Sequence, residues 1–178
     1  MNKQLNVLAI FLSFTALIVS FWQASISQKA VSLSVQPFVQ ITPYLEGPGG
    51  RNGIFIANIG LGPAVFLDAT IQINGKETSI TEDNWQSLLQ EIKVNDLCFS
   101  KSWLPKGSGL AKEKEVPIIS LGRTDSPACT LDLITLLGQN NISIKLRYKS
   151  MTNDFYEKTE ILPGSNIIKD VQRALQNQ

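Results

Sequence analysis

No charged residue occurs from Gln4 to Gln28, and within that stretch Leu5 to Trp22 is apolar nearly all round. Asn6, Ser13, Thr15 and Ser20 interrupt the apolar run, but Ser and Thr can bond back to helix carbonyls. As a helix, these 18 residues extend about 27 Å, close to the ~30 Å hydrocarbon thickness of a bilayer. A core helix would show a polar face, and this one does not. Trp22 stands where an interfacial aromatic belongs. The pattern predicts a transmembrane signal anchor over residues 5–28, with residues 1–4 as a cytoplasmic N-terminus. Cleavage is the competing reading. It needs small residues at −3 and −1 of the cut; Trp22 spoils the site at Ala24, and Ser25-Ile26-Ser27 is the other place for one.

After Lys29 the period changes. Ser32 to Ile41 alternates, with Leu33, Val35, Val39 and Ile41 on one face; Pro37 marks an edge strand or a strand start. Strands are predicted at Ile54–Ile59 and Val65–Ile73, followed by a tight Asn74-Gly75 turn. Thr81 to Ile92 reads as a helix, capped by Thr81 and striped by Trp85, Leu88, Leu89 and Ile92. Leu97–Leu104 and Glu115–Leu121 read as further strands. Thr130–Leu137 fits helix or strand. The last hairpin is the clearest: Ile142, Ile144, Leu146 and Tyr148 alternate with polar residues, and Phe155–Leu162 returns.

About seven short strands with regular turns predict a mainly β fold, an antiparallel two-sheet sandwich with one or two short helices behind one transmembrane helix. The sandwich domain spans residues 29–163. Residues 164–178 form an amphipathic tail, with Ile167, Ile168, Val171 and Leu175 on one helical face.

Charge and composition remove several functions. Past the anchor, 15 Lys and Arg face 15 Asp and Glu without a basic stripe, so nucleic-acid binding is not expected. The chain has no histidine, which removes the Ser-His-Asp triad, Cys-His chemistry and His-ligated zinc. No cofactor or metal is expected. Lys3 lies before the span and Lys29 after it, and the positive-inside rule mildly favours a cytoplasmic N-terminus. The domain is then extracytoplasmic (periplasmic), held to the inner membrane. Cys98 and Cys129, if outside, can form a disulfide; two buried thiols are the alternative. Lys101 follows Cys98 by three residues, which on a strand puts them on opposite faces.

The run Ile56-Ala-Asn58-Ile-Gly60-Leu-Gly62-Pro63-Ala64 resembles a signature of small, uncharacterised bacterial membrane-anchored proteins carrying an N-x-G-x-G-P-A turn. The resemblance implies an immunoglobulin-like sandwich outside the membrane and implies no activity. On the residues alone, Asn58 bonds nearby backbone, Gly60 and Gly62 allow positive φ, and Pro63 stiffens entry to the next strand.

Remaining signals are weaker. The loop Glu46–Gly53 is glycine-rich, but it lacks the Gly-Lys-Ser/Thr ending and leads into no helix, so it reads as a hairpin loop. Lys112-Glu-Lys-Glu115 reads as an exposed strand edge. Asp68, Glu82, Asp83, Asp125 and Asp132 are the acids a carboxylate-dependent hydrolase or ligand-binding domain would have to gather. The expected function is a non-enzymatic interaction or accessory module of the envelope, binding membrane lipid through its helix and a protein partner through its domain. The hydrolase or ligand-binding domain is the alternative.

Overall fold

A helix, α1 (Asn2–Ser34), precedes two antiparallel sheets and two short helices. The computed structural model describes residues 2–47, 50–80, 85–102, 104–122 and 126–164. α1 is long and apolar enough to cross a membrane, and none of its apolar window is buried against the other described residues. Its hydroxyls are returned to the helix backbone: Ser13 and Ser20 each donate at 2.8 Å to the carbonyls of Ala9 and Ala16, and Thr15 donates at 2.9 Å to Leu12. In lipid, that leaves fewer unpaired donors.

The helix runs to Ser34, whereas the alternation predicted a strand from Ser32. Leu33 is exposed, so the true alternation starts only at Val39 and Ile41, both buried. Pro37 supplies the stop. It disfavours helical geometry at Gln36, and the last turn tightens through Val35 N–H to Ser32 O and Gln36 N–H to Leu33 O, both 3.3 Å.

The first sheet has the order β1 (Val39–Gly47), β2 (Arg51–Asn58), β7 (Glu115–Leu121), β5 (Phe99–Lys101). The second runs β4 (Lys76–Ser79), β3 (Ala64–Ile73), β8 (Asn141–Lys149), β9 (Phe155–Pro163), with β6 (Gly109–Leu110) also paired to β3. Both sheets feed one core, with Ile41, Ile54, Ile56 and Ile118 from the first and Phe66, Ile71, Ile144 and Leu146 from the second. The chain is therefore a mainly β, antiparallel sandwich behind an N-terminal apolar helix.

The β8–β9 hairpin forms as its alternation predicted, with Tyr148 opposite Tyr156 and Ile142 opposite Leu162. Slipping β8 by one residue would expose Ile142, Ile144, Leu146 and Tyr148, at about 1.5–3 kcal/mol for each large apolar side chain, which fixes the register. β9 ends its sheet, and Lys158 and Glu160, opposite Leu146 and Ile144, pair at 3.0 Å. Charges at such positions discourage a further strand from adding.

Three segments depart from the sequence pattern or complete it. Leu97–Leu104 yields only the short β5, because a 3-10 turn capped by the Asn95 side chain occupies Asp96–Cys98. Thr130–Leu137 lies within α3 (Pro127–Gln139); Pro127 presets the first helical φ, and Cys129, Leu133, Leu136 and Leu137 form its buried stripe. The Thr81–Ile92 helix is α2 (Trp85–Glu91). Its proposed cap Thr81 and the acids Glu82 and Asp83 lie outside the described residues, as do Asp125 and the tail from 165 onward.

Candidate functional site

The sequence's most specific motif joins the helix to the sandwich. Asn58, the last residue of β2, is fully buried. Its Oδ1 accepts from the N–H groups of Phe38 (3.2 Å) and Gly60 (3.1 Å). Its Nδ2 donates to the carbonyls of Gly62 (2.8 Å) and Leu110 (2.9 Å). One side chain thus uses four bonds to hold the segment after α1, its own turn and β6. Buried amides are tolerated only when satisfied in this way.

Backbone bonds complete the clasp. Ile59 N–H donates to Phe38 O, and Leu61 and Gly62 N–H both donate to Gln36 O, at 2.9, 2.9 and 3.2 Å. Gly60 and Gly62 permit this approach. A Cβ on Gly60 would lie 2.2 Å from Phe38 N, and one on Gly62 would lie 1.9 Å from Val35 O. Neither glycine has positive φ. The expectation that they supply left-handed turn geometry is therefore corrected: they are glycines because another backbone passes against them. Asn58 likewise acts within a strand, with no left-handed conformation. Pro63 sits where expected, immediately before β3.

A second tie lies beside the first. Ser32 in the last turn of α1 donates to the Asp154 carboxylate at 3.1 Å, and Thr152 donates to the same oxygen at 2.6 Å. Bonds from Thr152 and then Ser32 hold the Asp154 carboxyl below the usual carboxylate range; desolvation opposes them less strongly, and a bond from Ser150 adds the smallest contribution. A lowered folded pKa contributes stability that is present above the unfolded value, roughly 3.9, and is lost as pH falls through the folded one. Asp154→Asn is accordingly expected to lower the unfolding midpoint of the full-length protein at pH 7, with the gap to wild type closing towards pH 2. An equal gap at both pH values would rule out the ionised carboxylate as the source.

No family model, curated protein or solved structure matches this chain.

Cys98 and Cys129 are joined as a disulfide, with Cα atoms 5.1 Å apart. The bond ties the 3-10 turn before β5 to the first turn of α3. The Asp132 carboxylate accepts from Asn95 N–H at 3.3 Å and lies 3.6 Å from the Cys98 sulfur, which in a disulfide has no proton to donate. Lys101 pairs with Asp96, not with the sulfur.

Of the five acids named from the sequence, Asp68 and Asp132 lie among the described residues, on different elements. Asp68 is paired with Arg147 at 2.9 Å across β3 and β8, whereas Asp132 is on α3. A groove of about 450 Å³ is lined by Leu67, Lys106, Arg147, Phe155, Tyr156 and Glu157. It contains one carboxylate, and that group is paired with Lys145 at 3.2 Å. The glycine-rich segment connects β1 and β2, with the Asn52 side chain accepting from Glu46 N–H at 2.7 Å. The Lys112–Glu115 edge is corrected: Lys112 and Glu113 form a turn, Glu113 with φ 59°, and only Glu115 enters β7, where it pairs with Arg51 at 2.8 Å. Trp22 is exposed on α1, and the 12 residues after it to Ser34 extend about 18 Å.

The sequence named Asn58, Gly60, Gly62 and Pro63 but missed what they grip. Residues 36–38 lie some twenty positions upstream, and no local pattern links them. The signal that existed was an Asn followed by glycines on alternate positions, which marks close backbone approach as readily as a turn.

Proposed function

We propose that this chain is a single-pass protein of the inner membrane whose extracytoplasmic, periplasmic sandwich serves as a non-enzymatic interaction or accessory module. The observation that carries the reading is the continuity of α1 with the clasp: an apolar helix leads within four residues, Val35 to Phe38, into a fixed seat on the domain. A domain held in this way presents one end to the membrane and the other to the envelope. Trp22 marks the outer interface in this reading, and Lys3 the cytoplasmic side.

The strand order supports an immunoglobulin-like sandwich. β1-β2-β7-β5 corresponds to the ABED sheet, and β4-β3-β8-β9 to a CFG sheet extended by one strand. The disulfide agrees with an oxidising compartment. Fold alone assigns no activity, so the interaction role rests on the anchored presentation of the domain.

The test is chemical cross-linking in intact cells, followed by purification of the full-length chain from solubilised membranes. A stoichiometric envelope protein cross-linked to residues of the sandwich is the expected result. Repeated recovery of the chain alone would overturn the interaction role.

A further inference from the structure

The outward face of the second sheet carries an unbalanced charge. On β8, Lys145, Arg147 and Lys149 point outward in succession, between the inward Ile144, Leu146 and Tyr148. The register shift in β3 between Phe66 and Asp68 leaves Leu67 and Asp68 both off the core, which sets Asp68 opposite Arg147. The turn before β6 adds Lys106, held beside β3 by Gly107 N–H to Phe66 O (2.8 Å) and Phe66 N–H to Ser108 O (2.9 Å). Arg147 is matched by Asp68 at 2.9 Å and Lys145 by Glu157 at 3.2 Å. The other two cations are not matched. Lys149 bonds the neutral Asn153 side chain at 2.8 Å, and Lys106 has no ion-pair or hydrogen-bond partner among the described residues. Of the remaining acids nearby, Asp154 is bonded to Ser32, Thr152 and Ser150, and Glu77 lies at the other end of the sheet, opposite Gln72.

Lys106 and Arg147 line the groove of about 450 Å³ together with Leu67 and Phe155, and Lys149 stands on its rim, opposite Phe155 on the neighbouring strand. Phe155 keeps 75% of its surface exposed. An exposed aromatic ring beside an arginine is the usual make-up of a protein-binding anchor. The outward face of the first sheet gives the contrast, because there the same residue types are already satisfied. Arg51 lies over the Tyr44 ring and pairs with Glu115, and Tyr44 packs edge to face on Phe55. The 12 helical residues after Trp22, about 18 Å long, hold the sandwich clear of the interface, so a protein can reach the groove. We infer that the groove receives an acidic segment of a protein partner, with a carboxylate among Lys106, Arg147 and Lys149 and a neighbouring apolar side chain against Leu67 and Phe155. Arg147 uses one nitrogen, Nη2, on Asp68, which leaves N–H donors for a second carboxylate. Charge complementarity selects the acid, and the apolar wall selects a protein over a purely anionic polymer. The inference rests on the interaction role proposed above and names its face and the chemistry of its partner.

The test titrates the isotope-labelled full-length chain, in zwitterionic micelles, with blocked peptides in which glutamate flanks phenylalanine, and with twins carrying glutamine instead. Saturable amide shifts are expected around Leu67, Lys106, Arg147 and Phe155 with the acidic peptides, weakening as salt is raised, while the Tyr44–Phe55 face stays unmoved. Phe155→Ala is expected to weaken binding about tenfold. Lys106→Gln with Lys149→Gln is expected to weaken it about fivefold and to flatten the salt dependence. Glutamine twins that bind equally well, or a groove that does not respond, would overturn the inference. So would inorganic polyphosphate bound there with no effect of Phe155→Ala, which marks an anion site and not a protein one. In intact cells, the partner cross-linked to the sandwich is expected to be lost from chains carrying Lys106→Glu or Phe155→Ala. A partner retained by both variants would overturn the groove and leave the interaction role standing. Recovery of the unsubstituted chain alone would overturn both.

Discussion

Replacing Asn58 with alanine is expected to destabilise the sandwich by about 3–5 kcal/mol and to release the helix from it. The truncation removes four hydrogen bonds at once. It strands buried backbone groups on three segments, each costing about 1–3 kcal/mol when left unpaired, with the losses less than additive. Asn58→Asp separates hydrogen bonding from shape. The carboxylate is isosteric, but an oxygen replaces Nδ2 opposite the carbonyls of Gly62 and Leu110, at 2.8 and 2.9 Å. At neutral pH the aspartate should cost as much as the alanine. Burial raises its pKa, so part of the loss should return on acidification, when a protonated carboxyl can donate one of the two bonds. Gly62→Ala tests the same junction sterically and should cost about 1–3 kcal/mol or more, because the new Cβ meets backbone that cannot step aside. Urea unfolding of the full-length protein in micelles measures all three. Trp85, buried with its indole N–H on Ser102 O at 3.0 Å, reports from the core. A loss under 1 kcal/mol for Asn58→Ala would contradict the clasp.

The second large effect is expected at the disulfide. Cys98 and Cys129 are separated by 31 residues, for which chain entropy assigns roughly 3–4 kcal/mol. The variant carrying Cys98→Ala and Cys129→Ala should lose stability on that scale, with amide exchange rising first around 126–130. α3 begins there on a Ser126 whose side chain makes no capping bond, so the covalent tie secures its first turn. A change below 1 kcal/mol, or exchange rising evenly across the domain, would show that the bond contributes little to holding α3.

What was legible in the sequence was local. The β8–β9 hairpin followed from strict alternation at Ile142, Ile144, Leu146 and Tyr148. The β3–β4 turn followed from Asn74-Gly75, which adopt φ of 51° and 93°. An uncharged, largely apolar run from Leu5 to Trp22 pointed to α1. What was not legible depended on contacts distant in the chain. Ser32–Ser34 alternate like a strand, yet they continue a helix already propagating, and Pro37 stops it a few residues later. Gly60 and Gly62 could be recognised as necessary, but whether for conformation or for close approach depends on Val35 and Phe38 lying against them. Asn58 was legible as a turn residue; its role as the lock between anchor and domain was not, because its partners come from two other parts of the chain.

Protease treatment of sealed spheroplasts, followed by intact-mass analysis of the membrane fraction, decides whether α1 anchors an external sandwich. The expected result is a full-length chain in untreated membranes whose sandwich is digested from outside, leaving a membrane-held N-terminal fragment that contains α1. A sandwich protected until the spheroplasts are opened, or a soluble chain beginning after Ser27, would contradict it.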